Sequence, residues 1–137
     1  MHTGGTREKL LTLYRDTILP LADAYKATRR QLRWNSEEET LVVGEQHYPL
    51  SELDRIYLVG AGKAGVPMAQ AVVDALVEDS RLWSRFSGGT VNVYREQARQ
   101  SIPRVRLYPA DHPSPNEHSV AGAKAAIRLL SNTTERD

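Results

Sequence analysis

The chain has 137 residues, with 18 lysines and arginines against 17 aspartates and glutamates and no cysteine, which suits one domain that hides about two-thirds of its unfolded surface. Near-neutral charge excludes a general pull toward nucleic acid or membrane surfaces, and the lack of cysteine excludes disulfides, thiolate metal sites and thiol catalysis while fitting a reducing compartment, so the cytoplasm is the expected location. Residues 1–6 are polar with no apolar targeting segment behind them, and no run approaches the roughly 18 apolar residues of a membrane span.

Residues 7–33 carry Leu10, Tyr14, Ile18, Leu21, Tyr25 and Leu32 at three- and four-residue steps, which predicts a helix that lays this stripe on the domain. Pro20 lacks the amide hydrogen a helix interior needs, so a kink or a division is expected there. Lys26, Arg29, Arg30 and Arg33 crowd the end of this helix, where cations complement the negative pole of its dipole. No aromatic or glycine-rich pattern accompanies them, so they do not read as an RNA patch. Two short apolar runs, 40–43 and 46–48, flank Gly44 and predict a hairpin forming a small flap. His47 within it has no second histidine or acid at ligand spacing and reads as a surface residue. The following run, 55–59, suits a strand covered on both faces and is the candidate central strand of a sheet.

The stretch 56–65 reads Ile-Tyr-Leu-Val-Gly-Ala-Gly-Lys-Ala-Gly and places three glycines and a lysine where a buried strand turns into a helix. Gly60 can take the tight turn, Gly62 can let an anionic group approach the backbone, and Gly65 can let the helix settle closely on its strand. The first helical amides then face outward as an anion site. Lys63 can aim its ammonium at the charge they hold, the pairing that phosphate chemistry requires. The spacing also satisfies the dinucleotide fingerprint, which wants a carboxylate about 20 residues on, at the end of the second strand. Here Glu78 and Asp79 fall at a helix end and the next strand-like run, 89–94, leads into Arg95. A Walker A loop fails as well, because Tyr57 replaces its first glycine and Ala64 its magnesium-binding hydroxyl. The plainer alternative is a tight turn with Lys63 pointing into water.

Beyond the turn, a helix is expected over 64–79, with Val66, Ala69, Val73 and Leu76 on its buried face, Gln70, Asp74 and Glu78 opposite, and Pro67 tolerated in the first turn. Trp83 and Phe86 anchor the connection to the 89–94 strand. Residues 95–104 are polar and too few for a full crossover helix, which leaves the direction of the 105–108 strand open. Ser114-Pro115-Asn116-Glu117 predicts a helix start with Ser114 as its cap, followed by Val120, Ala123, Ile127 and Leu130 as a buried stripe. If 105–108 runs parallel to the first strand, residues 110–114 open on the same sheet edge as 60–63, where open α/β sheets bind ligands. Asp111 and His112 then become candidates to contact a substrate hydroxyl or phosphate, His112 being able to donate or accept near neutral pH. The alternative is a proline-braced turn before a capped helix. His118 reads as solvent-facing.

Val59-Gly60-Ala61-Gly62-Lys63-Ala64, followed by Pro67-Met68-Ala69 and by Asp111-His112-Pro113-Ser114-Pro115-Asn116-Glu117, resembles the N-terminal part of the type-2 glycerate kinases, a family that also carries hydroxypyruvate reductase labels. The resemblance covers nearly the whole chain and implies an α/β, Rossmann-like three-layer domain with a leading helix and a small β-hairpin. It further implies an ATP-dependent kinase acting, with Mg2+, on the 2-hydroxyl of glycerate or a related small 2-hydroxy acid. The candidate catalytic residues are Lys63 and His112, and the candidate substrate- or phosphate-binding residues are Gly60, Ala61, Gly62, Ala64, Asp111 and Ser114. Phosphoryl transfer rests mostly on positioning and charge neutralisation, so a lysine at a helix N-terminus is chemically apt.

Two departures stand out. Asp111 occupies a position where the family commonly has glycine. The chain also stops where the family continues into an apolar strand, a Ser-Gly-Gly-Gly-Ser loop and a second domain, so the expectation is one N-terminal domain over 1–137, incomplete at its C-terminal end and inactive alone. A bare sheet edge is expected, covered by a homodimer or by a partner supplying the rest. The competing reading is an anion- or nucleotide-binding module without catalysis; NAD-dependent hydroxypyruvate reduction ranks below both because the ribose carboxylate is missing.

Overall fold

In the computed structural model, which describes residues 5–137, the leading segment is not one helix. α1 (Thr6–Leu13) passes through a π-helical turn (Tyr14–Ile18) into α2 (Leu19–Leu21), and α3 (Ala24–Gln31) starts afresh with Asp23 as its cap, accepting from the Lys26 amide at 3.0 Å. Pro20 explains the break: it has no hydrogen for the carbonyl one turn back, and a widened turn relieves the crowding of its ring. None of the residues from Thr6 to Leu21 is buried, so the expectation that Leu10, Tyr14, Ile18 and Leu21 lie against the domain is overturned.

Leu32, assigned above to the helical stripe, instead opens β1 (Leu32–Asn35), which pairs antiparallel with β2 (Thr40–Val43), itself paired with β3 (Gln46–Pro49). The predicted hairpin is β2–β3, and β1 is an additional strand whose turn is set by the Asn35 side chain accepting from the amides of Glu37 and Glu38. The small sheet is more than a flap, because Leu41 and Leu50 join the main hydrophobic core.

The main sheet is parallel, in the order β4 (Ile56–Ala61), β5 (Phe86–Tyr94), β6 (Val105–Ala110), which settles the direction of the last strand. β5, not the 55–59 run, is central. No residue of β4 is fully buried and Val59 is 43% exposed, so the apolar run marks neither a strand covered on both faces nor the centre of the sheet. α4 (Gly65–Val77) covers one face and α6 (Glu117–Leu130) the other. A Cβ at Gly65 would stand 2.9 Å from Val91 Cγ1, whereas one at Gly122 of α6 would meet Asn92 and Tyr108. Val91 and Asn92 are successive residues of β5 and point to opposite faces. The result is a three-layer, Rossmann-like arrangement.

Val66, Ala69, Val73 and Leu76 of α4 are buried with Phe86, Val91 and Val93, as the periodicity predicts. The opposite side of α4 carries α3, held by Tyr25 Oη donating to Asp74 at 2.7 Å and by an Arg29–Glu78 ion pair. A separate short helix, α5 (Ser80–Arg85), follows; Asp79 caps it, accepting from the Arg81 amide at 2.8 Å, and also accepts from Trp34 Nε1 at 2.9 Å, tying the small sheet to the junction of α4 and α5.

The final helix differs from its prediction in start and in face. Asn116, not Ser114, is the cap, and it forms a reciprocal box with Ser119. The reciprocal Asn116–Ser119 box satisfies the first free amides at that point, so the helix begins two residues later than a Ser114 cap would place it. Val120, Ile127 and Leu130, expected inside, are 52%, 71% and 39% exposed. The face that meets the sheet centres on buried Gly122, whose missing side chain lets the helix come close to Asn92; a Cβ there would lie 1.6 Å from Asn92 Oδ1. No helix among the described residues is long and apolar enough to cross a membrane.

Candidate functional site

Parallel strands deliver their C-terminal ends to one edge, and there the chain forms a cleft of about 400 Å³ lined by Ala61, Gly62 and Lys63 after β4, Asn92 and Tyr94 of β5, Ala110, Asp111 and His112 after β6, and Ser119 of α6. A neighbouring hollow of about 330 Å³ shares Lys63, Tyr94 and His112 and adds Glu96 and Gln97. Of the residues singled out from sequence, Ala61, Gly62, Lys63, Asp111 and His112 thus come together. Gly60, Ala64 and Ser114 do not line the cleft.

The glycines divide their work differently from the expectation. Gly60 lies within β4, where a Cβ would meet Val91 Cγ1 at 3.4 Å, so it makes room rather than a turn. The turn belongs to Gly62, at φ +122°, a conformation that side chains resist. Its own amide is spent on Asn92 O at 2.9 Å, and that of Gly65 on Gly62 O at 3.0 Å. The amides of Lys63 and Ala64 find no acceptor among the described residues, and a Cβ at Gly62 would meet nothing within 4 Å. Two open donors and an uncrowded approach therefore sit at the N-terminal, positive end of α4. Lys63 is exposed and forms no ion pair among the described residues, so its ammonium is free to meet an anion held there.

The opposite wall is built from side chains. Asp111 receives both Arg95 Nε and Nη2, at 3.0 and 2.6 Å, and Asn116 Nδ2 at 2.8 Å. The Arg95 guanidinium first, then the Asn116 amide, hold the Asp111 carboxyl below the usual carboxylate range. With both its oxygens engaged, Asp111 organises the loop that carries His112, whose bond to Pro113 is cis. Gln97 Nε2 donates to Lys63 O at 3.0 Å, so the segment leaving β5 grips both walls: Arg95 the β6–α6 loop and Gln97 the β4–α4 turn.

Sequence reasoning passed over Asn92, Tyr94, Arg95, Gln97 and Asn116. Asn92 had a legible signal, a lone amide inside the apolar strand 89–94, which needs a partner if covered. It finds one in Ser119 O at 2.9 Å. The Arg95–Asp111 pairing spans 16 residues and carried no local signal.

Among the described residues no group of three or more histidines, cysteines or acids could hold a metal ion. What the cleft offers is two open amides and the exposed Lys63 ammonium on one side and the His112 imidazole on the other.

Comparison with known proteins places the chain as a whole. The chain is 29% identical over 117 residues to the Glycerate 2-kinase of Pyrococcus horikoshii, covering 85% of this chain and 23% of that protein. It is 30% identical over 89 residues to the D-glycerate 2-kinase of Thermotoga maritima, covering 65% and 20%. The crystal structure of the PH0495 protein of Pyrococcus horikoshii OT3 superposes with a TM-score of 0.75 at 26% identity, over all of this chain and 28% of that one. The chain therefore spans about a quarter or less of the length of these relatives. Residues 10–137 match the family described as Domain of unknown function (DUF4147), and because the match takes in nearly the whole chain, the protein belongs to that family.

Proposed function

We propose that this chain is the N-terminal, anion-holding domain of an ATP-dependent glycerate 2-kinase. The observation that carries the reading is Lys63, unpaired beside the open amides of Lys63 and Ala64 at the head of α4. The names of the two relatives support the same chemistry. In this reading the 2-hydroxyl oxygen of glycerate attacks the γ-phosphorus of ATP, the bond from that phosphorus to the β–γ bridging oxygen breaks, and ADP leaves. Lys63 and the two amides neutralise the anionic group in the cradle, and His112 takes the hydroxyl proton. Gly60 and Gly65 set the close strand–helix contact behind the cradle, and the Arg95–Asp111–Asn116 cluster keeps the His112 loop in place. Magnesium would arrive with the nucleotide, held by phosphate oxygens and water as is usual for this ion. A cysteine-free kinase of this kind is assigned to the cytoplasm.

The chain spans about a quarter or less of the relatives' length, and in this reading its cleft is one side of a two-domain site, so the chain alone is expected to bind ligand without turnover. The test is a pair of measurements. ATP or 3-carbon phosphorylated acids should raise the melting temperature of the chain, and Lys63→Ala should abolish the rise. ADP release with glycerate and MgATP should appear only when a second domain is supplied. A melting temperature that ignores both ligands removes the proposal. Saturable binding that never leads to turnover in a two-domain protein favours the binding module. Hydride transfer is the least supported, since β5 leads into Arg95 rather than an acid.

A further inference from the structure

We infer that, given the anion-holding reading of this cleft on which the step rests, Gln97 is a positioning residue: by donating to Lys63 O it aims the Ala64 amide at the anion. Residues 62–65 form a turn closed by the Gly65 amide, which donates to Gly62 O at 3.0 Å. Ala64, at φ −93° and ψ 8°, has the third-residue geometry of a type I turn. Lys63 O and the Ala64 N–H belong to the central peptide of that turn. A trans peptide is planar, so the two groups point in opposite directions, and whatever holds the carbonyl also aims the amide.

The sequence denies that carbonyl its ordinary donor. At a helix start it would accept from the amide four residues on, as Ala64 O does from the Met68 amide at 3.1 Å. Four residues after Lys63 stands Pro67, which has no amide hydrogen. Gln97 Nε2 supplies the bond instead, at 3.0 Å, and is the one donor to Lys63 O among the described residues. Stability alone does not select this side chain: Gln97 Oε1 is buried and finds no partner among the described residues, a desolvation that a hydrocarbon would avoid. It is nevertheless well placed, because it opens the short turn Gln97–Arg99 and its neighbour Ala98 packs against the core. Donation to the carbonyl also polarises the peptide and strengthens the Ala64 N–H as a donor. Without Gln97 the central peptide is free to tilt. A full half-rotation would give a type II turn with positive φ at Ala64, which alanine resists, so the unit loosens rather than inverts and anion affinity falls without vanishing.

The experiment titrates inorganic phosphate into the parent chain, Gln97→Leu, Pro67→Ala and the double variant, and follows the NMR shifts of the Lys63 carbonyl carbon and the Ala64 amide. Gln97→Leu should weaken phosphate binding about tenfold and move the Lys63 carbonyl shift upfield. Its melting temperature should stay within about 2 °C of the parent or rise, since the buried Oε1 is gone. Pro67→Ala alone should bind much as the parent does. In the double variant the amide restored at position 67 can donate to Lys63 O, and both the carbonyl shift and the affinity should recover; a side chain that only packed or tethered would not be replaced in this way. If Gln97→Leu fails to fold, Gln97→Met, unbranched and closer in length, gives the same readouts. Equal affinity in the parent and a folded Gln97→Leu overturns the inference. So does any of the four proteins in which affinity and carbonyl shift fail to rank alike. A parent whose carbonyl shift responds to Gln97→Leu but which binds no phosphate removes the anion reading itself, so the two failures are told apart.

Discussion

One wall of the cleft is held by backbone, the other by charge. After β4 the turn is fixed by Gly62 at φ +122°, by its amide bonded to Asn92 O, and by Gly65 pressed on Val91. After β6 the loop is held by Asp111 between Arg95 and Asn116, all of them side chains, with Arg95 65% exposed. Backbone conformation does not titrate and is not screened, whereas exposed ion pairs weaken with salt and acid. The β4–α4 turn is therefore held independently of salt and acid, and the loop that carries His112 is built to depend on its surroundings.

The largest effects should come from the backbone wall. Gly62→Ala forces a side chain into a conformation that costs about 1–3 kcal/mol, and it should lose anion binding as the amides of Lys63 and Ala64 turn away. Gly65→Ala places a Cβ 2.9 Å from Val91 Cγ1 and 3.2 Å from Val93 Cγ1, an overpacking of about 1–3 kcal/mol; here binding should weaken only as far as α4 shifts. Gly60→Ala, with its nearest contact at 3.4 Å, should cost less than about 1.5 kcal/mol. Denaturant melts with phosphate titrations separate the three. Equal losses of binding at Gly60 and Gly62 would break the division of labour between them.

A smaller effect is expected across the cleft. Arg95→Ala removes a partly exposed pair, so global stability should fall by less than about 1 kcal/mol, while amides from 110 to 116 gain exchange. Raising salt on the unaltered protein should reproduce part of that gain. Loop amides that stay as protected in Arg95→Ala as in the parent would show that the Asn116–Ser119 box alone holds this wall.

The same contrast explains what the sequence revealed. The β4–α4 turn was legible because glycine spacing encodes backbone conformation locally, and the buried face of α4 because its period of 3.6 admits one solution. α6 has the same period, yet Gly122, not Val120, Ala123 and Ile127, meets the sheet. A tight helix–sheet approach selects small residues, and a rule that looks for the largest apolar side chains picks the wrong side. The leading stripe failed for a related reason: spacing shows that Leu10, Tyr14 and Ile18 share a side of a helix, not that anything lies against it. β1 was hidden because Leu32 fits either a helical stripe or a strand, and pairing with β2 decides. The Arg95 clasp depends on two residues that meet only after the sheet forms.

Acid offers the finest test of the two walls, and its sign follows from Asp111. Arg95 and Asn116 favour the carboxylate, so its folded pKa lies below the unfolded value of about 3.9. The stabilisation it gives is fully present above that value and is lost as pH falls through the folded pKa. Asp137 behaves alike at the other end of the sheet, where Arg55 draws its pKa down to about 2, so the clasp at the start of β4 should open between about pH 4 and that value. Amide chemical shifts followed from pH 6 downward should therefore move at His112 and Asn116, and at Asp54 and Arg55, before those of Gly62 and Gly65 change. Asp111→Asn should abolish the first set of shifts and leave the second. If Gly62 moved together with His112, the backbone wall would be leaning on the charged one through Arg95 and Gln97, and the segment after β5 would be the common support of both.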